Sequence, residues 1–188
     1  LPCKHARMAK QFPDINDRFR TFIAAQSMYF VATAARDGRV NLSPKGLDSL
    51  RVLGPHRVAW LNLTGSGNET SAHLLDNPRM TLMFCSFDRE PMILRLYGTA
   101  REVAPGDEDW DELYSQFPPH ISSRQIYDLS VDIVQTSCGF GVPLMSVESE
   151  RVLLDTWAEK KGPEGVAEYW QQKNLSSIDG APTKLSLG

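Results

Sequence analysis

The sequence predicts a mainly β protein, an antiparallel β-barrel with short helices at its periphery. Three observations support this prediction. About six or seven runs rich in β-branched and aromatic residues follow one another along the chain, tight turns join most of them, and the helical segments between them are short. Strands joined by tight turns pair in antiparallel order, whereas a doubly wound parallel sheet needs a long crossover after each strand.

Length and composition limit the class of protein. The 188 residues are 41% hydrophobic and 23% charged, which is typical of one globular domain with a substantial core. The net charge of −3 weighs against a nucleic-acid-binding face, and no apolar run reaches the roughly 18 residues of a membrane span. Three distant cysteines and four histidines without ligand spacing predict neither a disulfide framework nor a metal site. We therefore expect a cytoplasmic protein with no nucleic-acid or membrane partner.

The first predicted element is an amphipathic helix over residues 14–26. Ile15, Phe19, Phe22 and Ile23 recur at i, i+4, i+7 and i+8 and so form one apolar stripe. Asp14 is the expected N-cap because a short acidic side chain can accept a hydrogen bond from the first helical turn.

Three predicted strand pairs follow this helix. Residues 28–46 predict a hairpin around Asp37-Gly38, a dipeptide typical of the two-residue type I′ turn, in which both positions need positive φ. Two further strands are predicted over 47–53 and 57–64, on either side of Gly54-Pro55. Strands over 80–87 and 92–103 form another hairpin, and the last strand is predicted over 131–137.

The remaining helices are expected at the periphery. Residues 107–117 are amphipathic and end at Pro118-Pro119, and two C-terminal helices are predicted, one over 149–161 and one beginning at Pro163. Residues 8–175 are predicted to form a single domain, whereas residues 1–7 and 176–188 are predicted to be loose tails.

Residues 65–78, GSGNETSAHLLDNP, predict a turn followed by a short helix. Two explanations of the small polar residues at this helix start remain open. Asn68 can cap the helix, or the unpaired N–H groups can bind an anion. Thr70 replaces the third glycine of a dinucleotide fingerprint, and no G-K-[ST] follows, so neither nucleotide-binding fold is predicted.

The segment RVNLSPKG places three polar side chains on one face of a strand. Asn41, Ser43 and Lys45 alternate with residues that face the other way, and Pro44 is typical of an edge strand or a strand end. Such a polar row requires either water or a ligand.

The order of these segments resembles the pyridoxamine 5′-phosphate oxidase-like family of FMN-binding split barrels. The resemblance covers about residues 14–104, through the first hairpin, NLSPKG, LTGSGNETSAHLLDNPRMTLMFCSF and ILRLYGTAREV. The downstream CGFGVP and WAEKKGPEG are similar to a subgroup described only as related to the oxidase. The resemblance implies a homodimer with one FMN at each end of the subunit interface and redox chemistry on a small molecule, with NADH or NADPH as a candidate substrate.

The resemblance also implies the cofactor-binding residues. Carried over by position, they are Asn41, Leu42, Ser43, Lys45, Leu63, Thr64, Asn68, Glu69 and Thr70. In the oxidases the last three positions are Ser-Arg-Lys, and the two cations neutralise the FMN phosphate. Because Glu69 puts an anion there, we expect another cation to compensate. Arg95 on the predicted strand 92–103 is the first candidate, followed by Arg51 and Lys45.

A second departure concerns the substrate. The oxidases carry an R-x-H pair near the C-terminus, whereas this chain has no arginine after Arg151 and no histidine after His120. The hypothesis is therefore an FMN-binding oxidoreductase of unknown substrate, and the alternative is a flavin carrier or sensor without turnover. Haem binding would require a C-terminal histidine, and a plain interaction module would leave the polar row at 41–45 unexplained.

Overall fold

The computed structural model describes residues 9–187 and consists of one antiparallel sheet with helices around it. The sheet has eight strands in the order β3-β2-β6-β7-β8-β5-β4, and β1 also pairs with β8. The strand bounds are β1 Lys10–Phe12, β2 Tyr29–Thr33, β3 Asn41–Lys45, β4 Leu50–Gly54, β5 Arg57–Leu63, β6 Arg79–Cys85, β7 Ile93–Val103 and β8 Ser123–Ser137. All of their pairings are antiparallel.

Four α-helices lie between or after these strands. Their bounds are α1 Asp17–Ala24, α2 Glu69–Asp76, α3 Trp110–Tyr114 and α4 Leu153–Lys173, and a 3-10 turn covers Lys184–Ser186. Helix α4 bends at Gly162, whose φ of 66° lies outside the helical region, and Pro163 begins its second half. Among residues 9–187, no helix has the length and apolar character that crossing a membrane requires.

The sheet curls until strands that are distant in the hydrogen-bonded order meet. Lys45 on β3 lies over the ring of Trp60 on β5, with its ammonium nitrogen 4.8 Å from the ring centroid. Four strands separate β3 from β5 in the sheet, so this contact requires a barrel-like curvature.

Two apolar clusters fill the structure. The larger lies inside the curled sheet and under α1, and its largest members include Phe19, Trp60, Phe84 and Tyr127. The smaller packs α3 against β5, β7 and β8 through Leu61, Val103, Leu113, Phe117 and Ile126, together with Ala59. Both clusters have the close packing that gives a small barrel its stability.

Most of the predicted strands are confirmed. The antiparallel, mainly β architecture is present, with hairpins β4–β5 and β6–β7 close to their predicted bounds. The last strand begins at Ser123 rather than at 131, because its first half is buried in the middle of the sheet and lacks the alternation of a half-exposed strand.

The first hairpin has a longer loop than predicted. Strands β2 and β3 do pair, but residues 34–40 connect them, and Gly38 has positive φ while Asp37 does not. Two carboxylates stabilise this wide loop: the Arg36 N–H donates to Asp76 at 2.6 Å and the Arg39 N–H donates to Asp179 at 2.8 Å. The predicted type I′ turn is therefore wrong.

The predicted cap of α1 is also wrong, and Asn68 occupies the N-cap position of α2 without capping the helix through its side chain. The N-cap of α1 is Asn16, whose side chain accepts a hydrogen bond from the Phe19 N–H at 3.1 Å, so the helix starts later than Asp14 predicts. Asn68 does precede α2, but its side chain makes no capping hydrogen bond because it turns instead toward Gln125 and Asn174.

The C-terminal segment up to residue 187, predicted to be part of a loose tail over 176–188, contacts other parts of the chain. Ser176 pairs with Pro182, Thr183 is buried, and the tail bonds to α2 through the Ile178 and Lys184 N–H groups. Polar composition suggested solvation, but these polar groups bind other parts of the chain. The predicted loose segment 1–7 and residue 188 lie outside the described residues.

Candidate functional site

A cleft of about 470 Å³ lies where the polar face of β3 meets the turn before α2. Its volume is within the range of roughly 300–1,000 Å³ that small-molecule sites occupy. The lining residues come from β3 and the loop before it, from β5, from the turn and first residues of α2, from β8 and from the C-terminal tail. They are Arg39, Val40, Asn41, Leu42, Ser43, Lys45, Trp60, Asn62, Gly65, Ser66, Gly67, Asn68, Glu69, Thr70, Arg124 and Ile178.

Strand β3 forms one wall of the cleft. Asn41, Ser43 and Lys45 are half-buried, whereas Leu42 and Pro44 between them are exposed, so the predicted alternation is confirmed. The strand lies at an edge of the sheet, where the missing N–H of Pro44 breaks no ladder. Burial, together with the nearby Arg124 charge, lowers the pKa of Lys45 to about 8.

The turn before α2 forms the opposite wall. Asn68 and Thr70 are both buried, and the Asn41 side-chain amide donates to the Thr70 hydroxyl at 3.3 Å, which ties β3 to the helix start. The first N–H groups of a helix have no intrahelical partner and carry partial positive charge. This end of the cleft therefore favours a negatively charged ligand.

Arg124 on β8 lies at the base of the same turn and is 2% exposed. Its guanidinium donates to Gln125 Oε1 at 2.6 Å, to the Gly67 carbonyl at 3.2 Å and to Asn174 Oδ1 at 2.5 Å. All of these acceptors are neutral. Burial accordingly lowers the pKa of Arg124, although an arginine with so high an ordinary pKa stays charged.

No carboxylate makes an ion pair with Arg124 within residues 9–187. Glu102 attracts the guanidinium through space without forming an ion pair, and burial raises the pKa of Glu102. A buried charge that only neutral groups solvate is costly. An anion in the cleft would relieve that cost.

The structure brings seven of the ten predicted cofactor residues together. The cleft is lined by Asn41, Leu42, Ser43, Lys45, Asn68, Glu69 and Thr70. The Glu69 carboxylate accepts hydrogen bonds from the Ile178 N–H at 3.0 and 3.1 Å, so it is oriented toward the C-terminal tail.

Three predicted residues lie outside the cleft lining. Leu63 packs against the smaller apolar cluster, and the Thr64 hydroxyl bonds to the Ser122 carbonyl at 2.9 Å and to the Trp170 indole at 2.7 Å. Arg95 donates to Ser137 at 3.1 Å, on β7 and β8, and is not among the lining residues. Arg124 is the most deeply buried cation that lines this cleft.

Sequence reasoning missed Arg124, and with it Arg39, Trp60 and Asn62. Arg124 lies in a segment that carries no strand periodicity, so no pattern places it beside a turn about 57 residues earlier. The one available signal was the pair of adjacent polar residues Arg124-Gln125 just before the apolar Ile126.

A second, more apolar groove adjoins the cleft across Lys45. Its volume is about 710 Å³, and it lies between the end of α1, the end of β3, the β6–β7 connection and the irregular segment 138–152. Lys45 lines both cavities. The apolar lining includes Met28, Leu47, Phe87, Met145, Val147, Leu153 and Leu154.

A Ser-His-Asp cluster elsewhere does not form a nucleophilic site. The Ser122 hydroxyl lies 2.8 Å from His120 Nδ1, and His120 Nε2 pairs with Asp155 on α4. The Ser122 backbone N–H also donates to His120 Nδ1, at 3.0 Å. Ser122 is 0% exposed, so its hydroxyl has no access to a substrate, and the cluster fixes α4 to the start of β8.

The family model and the curated relative that match this chain belong to the same family. The family model described as pyridoxamine 5′-phosphate oxidase matches residues 15–138. The pyridoxamine 5′-phosphate oxidase family protein ustO of Aspergillus flavus is 36% identical over 189 residues, which cover 91% of this chain and 76% of the relative.

Solved structures show the same fold at lower identity. A Lactobacillus delbrueckii protein provisionally named pyridoxamine 5′-phosphate oxidase has a TM-score of 0.54 at 17% identity, covering 65% of this chain and 94% of that chain. HupZ of Group A Streptococcus has a TM-score of 0.51 at 20% identity, covering 64% of this chain and 91% of that chain.

Proposed function

The chain belongs to the pyridoxamine 5′-phosphate oxidase family, and on that basis we propose that it is an FMN-binding oxidoreductase that acts on a small molecule other than pyridoxamine phosphate. The single observation that carries the proposal is the buried guanidinium of Arg124, which lines the cleft and is hydrogen-bonded only to neutral groups. It supplies the positive charge that the family's basic pair would otherwise supply.

The residues of the cleft fit FMN in their charge and in their hydrogen-bonding groups. Arg124, Asn68, Thr70 and the helix N–H groups would hold the phosphate, since together they offer a cation and several donors at one end. Ser43 and Lys45 on β3, with Trp60 beneath Lys45, would lie along the ring system. When bound, FMN supplies the hydride or electron transfer, and the protein binds and orients it.

Lys45 has a second role because it lies between the two cavities. Its ammonium group can stabilise negative charge on the ring edge, and its lowered pKa of about 8 allows it to gain or lose a proton near neutrality. The apolar groove on its other side is where we place the substrate. Among the described residues, two cations, Lys45 and Arg151, line this groove together with the acids Asp88 and Glu150, and no histidine does.

A flavin titration tests the proposal directly. We expect the purified protein to bind FMN in the low micromolar range or tighter, to quench its fluorescence, and to prefer it to riboflavin by at least about tenfold because Arg124 binds the phosphate. Equal affinity for FMN and riboflavin would mean that the phosphate is not recognised. No binding of either at high micromolar flavin would overturn the proposal.

Turnover separates the oxidoreductase from a flavin carrier or sensor. Oxidation of NADH or NADPH by the FMN-loaded protein, followed at 340 nm, would support the enzyme, whereas a stable FMN complex without turnover would support the carrier. Neither cavity is lined by a described R-x-H pair like that of the oxidases, and this favours the carrier. None of the described histidines, at 56, 73 and 120, lines the cleft, which weighs against haem there.

We also propose that the protein acts as a homodimer, in keeping with the resemblance to FMN-binding split barrels. Exposed apolar side chains concentrate in the segment 138–153, namely Phe140, Leu144, Met145, Val147, Val152 and Leu153. Apolar patches of this kind mark protein interfaces more often than free surface.

A further inference from the structure

The chain that follows α4 runs back across the start of α2 and covers one side of the cleft. We call residues 174–184 the C-terminal strap. Its Ile178 N–H donates to the Glu69 carboxylate, and its Lys184 N–H donates to the Ser71 hydroxyl at 3.0 Å. The strap therefore bonds to the first turn of the helix whose N-terminus forms the anion end of the cleft.

The contact between the strap and α2 fixes the orientation of the Glu69 carboxylate. Glu69 occupies the first position of α2 and lines the cleft, so a free carboxylate there would repel a phosphate. Both of its oxygens are instead bound to one backbone N–H, at 3.0 and 3.1 Å. Within the described chain Glu69 has no ion-pair partner, so this hydrogen bond is what fixes the direction of its charge.

Asn174, the first residue of the strap, accepts a hydrogen bond from the cation of the cleft, Arg124. Asn174 is 0% exposed, and its Oδ1 accepts from Arg124 at 2.5 Å while its Nδ2 donates to the Gly65 carbonyl at 3.2 Å. Its own carbonyl accepts from Asn68 at 3.4 Å and from Thr183 at 2.8 Å. Every polar group of the Asn174 side chain is thus used to join the strap, the turn and Arg124.

We propose that the C-terminal strap determines which charged groups face the anion site: Asn174 holds Arg124 toward the cleft, and the Ile178 N–H holds the Glu69 carboxylate against the strap. Asn174 and Ile178 are positioning residues, since each acts through a cleft residue. This inference rests on the proposed function, and it explains how a chain with an acid in place of the family's basic pair keeps a phosphate site.

The variant Ile178→Pro tests the strap because it deletes the N–H that binds Glu69. We expect at least about tenfold weaker FMN binding, as a released carboxylate turns toward the phosphate, and riboflavin binding within about twofold of the parent. Adding Glu69→Gln to Ile178→Pro should restore FMN binding, because glutamine has no negative charge to repel the phosphate. Glu69→Gln alone should change FMN affinity by less than about threefold.

Ile178→Ala is the matched control, since it removes the side chain but keeps the N–H. It should bind FMN like the parent. If Ile178→Pro does not fold, Asn174→Asp provides the second test: it keeps the acceptor for Arg124 but neutralises its charge, so FMN binding should weaken at least about tenfold while riboflavin binding holds. A merely structural residue would weaken both flavins together.

Two results would overturn the inference. One is an Ile178→Pro protein that binds FMN as the parent does. The other is an effect of Glu69→Gln that is equal in the parent and Ile178→Pro backgrounds, since uncoupled sites show additive free energies. If the parent protein itself binds no FMN, the proposed function fails and the inference fails with it.

Discussion

At the residue scale, the proposed function depends on the charge of Arg124, which has no ion-pair partner among the described residues. Replacing it by methionine keeps the length of the side chain and removes the charge. We expect Arg124→Met to weaken FMN binding about 100-fold, because a charge-assisted hydrogen bond in a buried site contributes roughly 2–3 kcal/mol. Riboflavin affinity should stay within about threefold, measured by quenching of flavin fluorescence.

Arg95→Met is the control for this prediction. Arg95 is a half-buried arginine on the neighbouring strand, and it bonds to Ser137 rather than lining the cleft. FMN affinity should therefore be unchanged in this variant. An equal loss in both variants would show that the strand, and not the charge in the cleft, is what matters.

Lys45 makes FMN binding depend on pH. Its pKa in the free protein is about 8, and a bound anion would raise it. Above about pH 8 the free protein has lost this proton and must take it up on binding, so affinity should fall as pH rises from 8 to 10, by up to about tenfold per unit. The FMN phosphate is already fully ionised above about pH 7 and adds no slope there.

Lys45→Met removes the titrating group and should make FMN affinity independent of pH over the same range. The measurement is a series of FMN titrations at constant ionic strength between pH 7 and 10. If the pH dependence of FMN affinity persists in Lys45→Met, a group other than Lys45 causes it.

At the element scale, the bulge between β7 and β8 requires glycine. The pairing register shifts between Tyr97 and Gly98, and a Cβ on Gly98 would lie 1.9 Å from the Ser130 carbonyl oxygen. Because the obstacle is backbone, the strands must separate to accept a side chain. We expect Gly98→Ala to lower the free energy of unfolding by about 3 kcal/mol, measured by urea denaturation.

Gly141→Ala is the matched substitution in open space. A Cβ at this position meets nothing within 4 Å, and the residue has no positive φ. Its free energy of unfolding should stay within about 0.5 kcal/mol of the parent. Similar losses in both variants would contradict the importance of the bulge.

Local sequence patterns predict some elements of this fold and miss others. Hairpins β4–β5 and β6–β7 follow from short-range signals, namely runs rich in β-branched and other apolar residues with a turn between the runs. The loop 34–40 does not, because the carboxylates of Asp76 and Asp179 that bind it come from distant parts of the chain. The first half of β8 is buried on both faces and so lacks a periodic signal.

At the scale of the whole molecule, the candidate site could be predicted only in part, for a related reason. The polar row of β3 and the turn before α2 are each visible as local motifs. The cation is not, since Arg124 reaches Gly67 only after β8 has paired with the distant strand β5, and Asn174 reaches Arg124 only after α4 has returned the chain to the barrel. Charge balance in the cleft is therefore a property of the assembled fold.

The exposed apolar side chains of segment 138–153 predict that the protein self-associates. Leu144 and Val147 are 71% and 63% exposed in the segment 138–153, an apolar area that a monomer would leave in water. We expect the protein to be a dimer, with a mass by light scattering of twice the 21.0 kDa chain. Val147→Glu should shift the population toward monomer at low micromolar concentration, because a charge inside an apolar interface is costly.

Leu187→Glu is the control for Val147→Glu, because Leu187 is similarly exposed, at 66%, but lies in the C-terminal turn away from that segment. It should leave the mass unchanged. Because the resemblance to FMN-binding split barrels implies a site at the subunit interface, FMN affinity should fall together with dimerisation in Val147→Glu and not in Leu187→Glu. A monomeric parent that still binds FMN tightly would show instead that the cleft of one chain is sufficient.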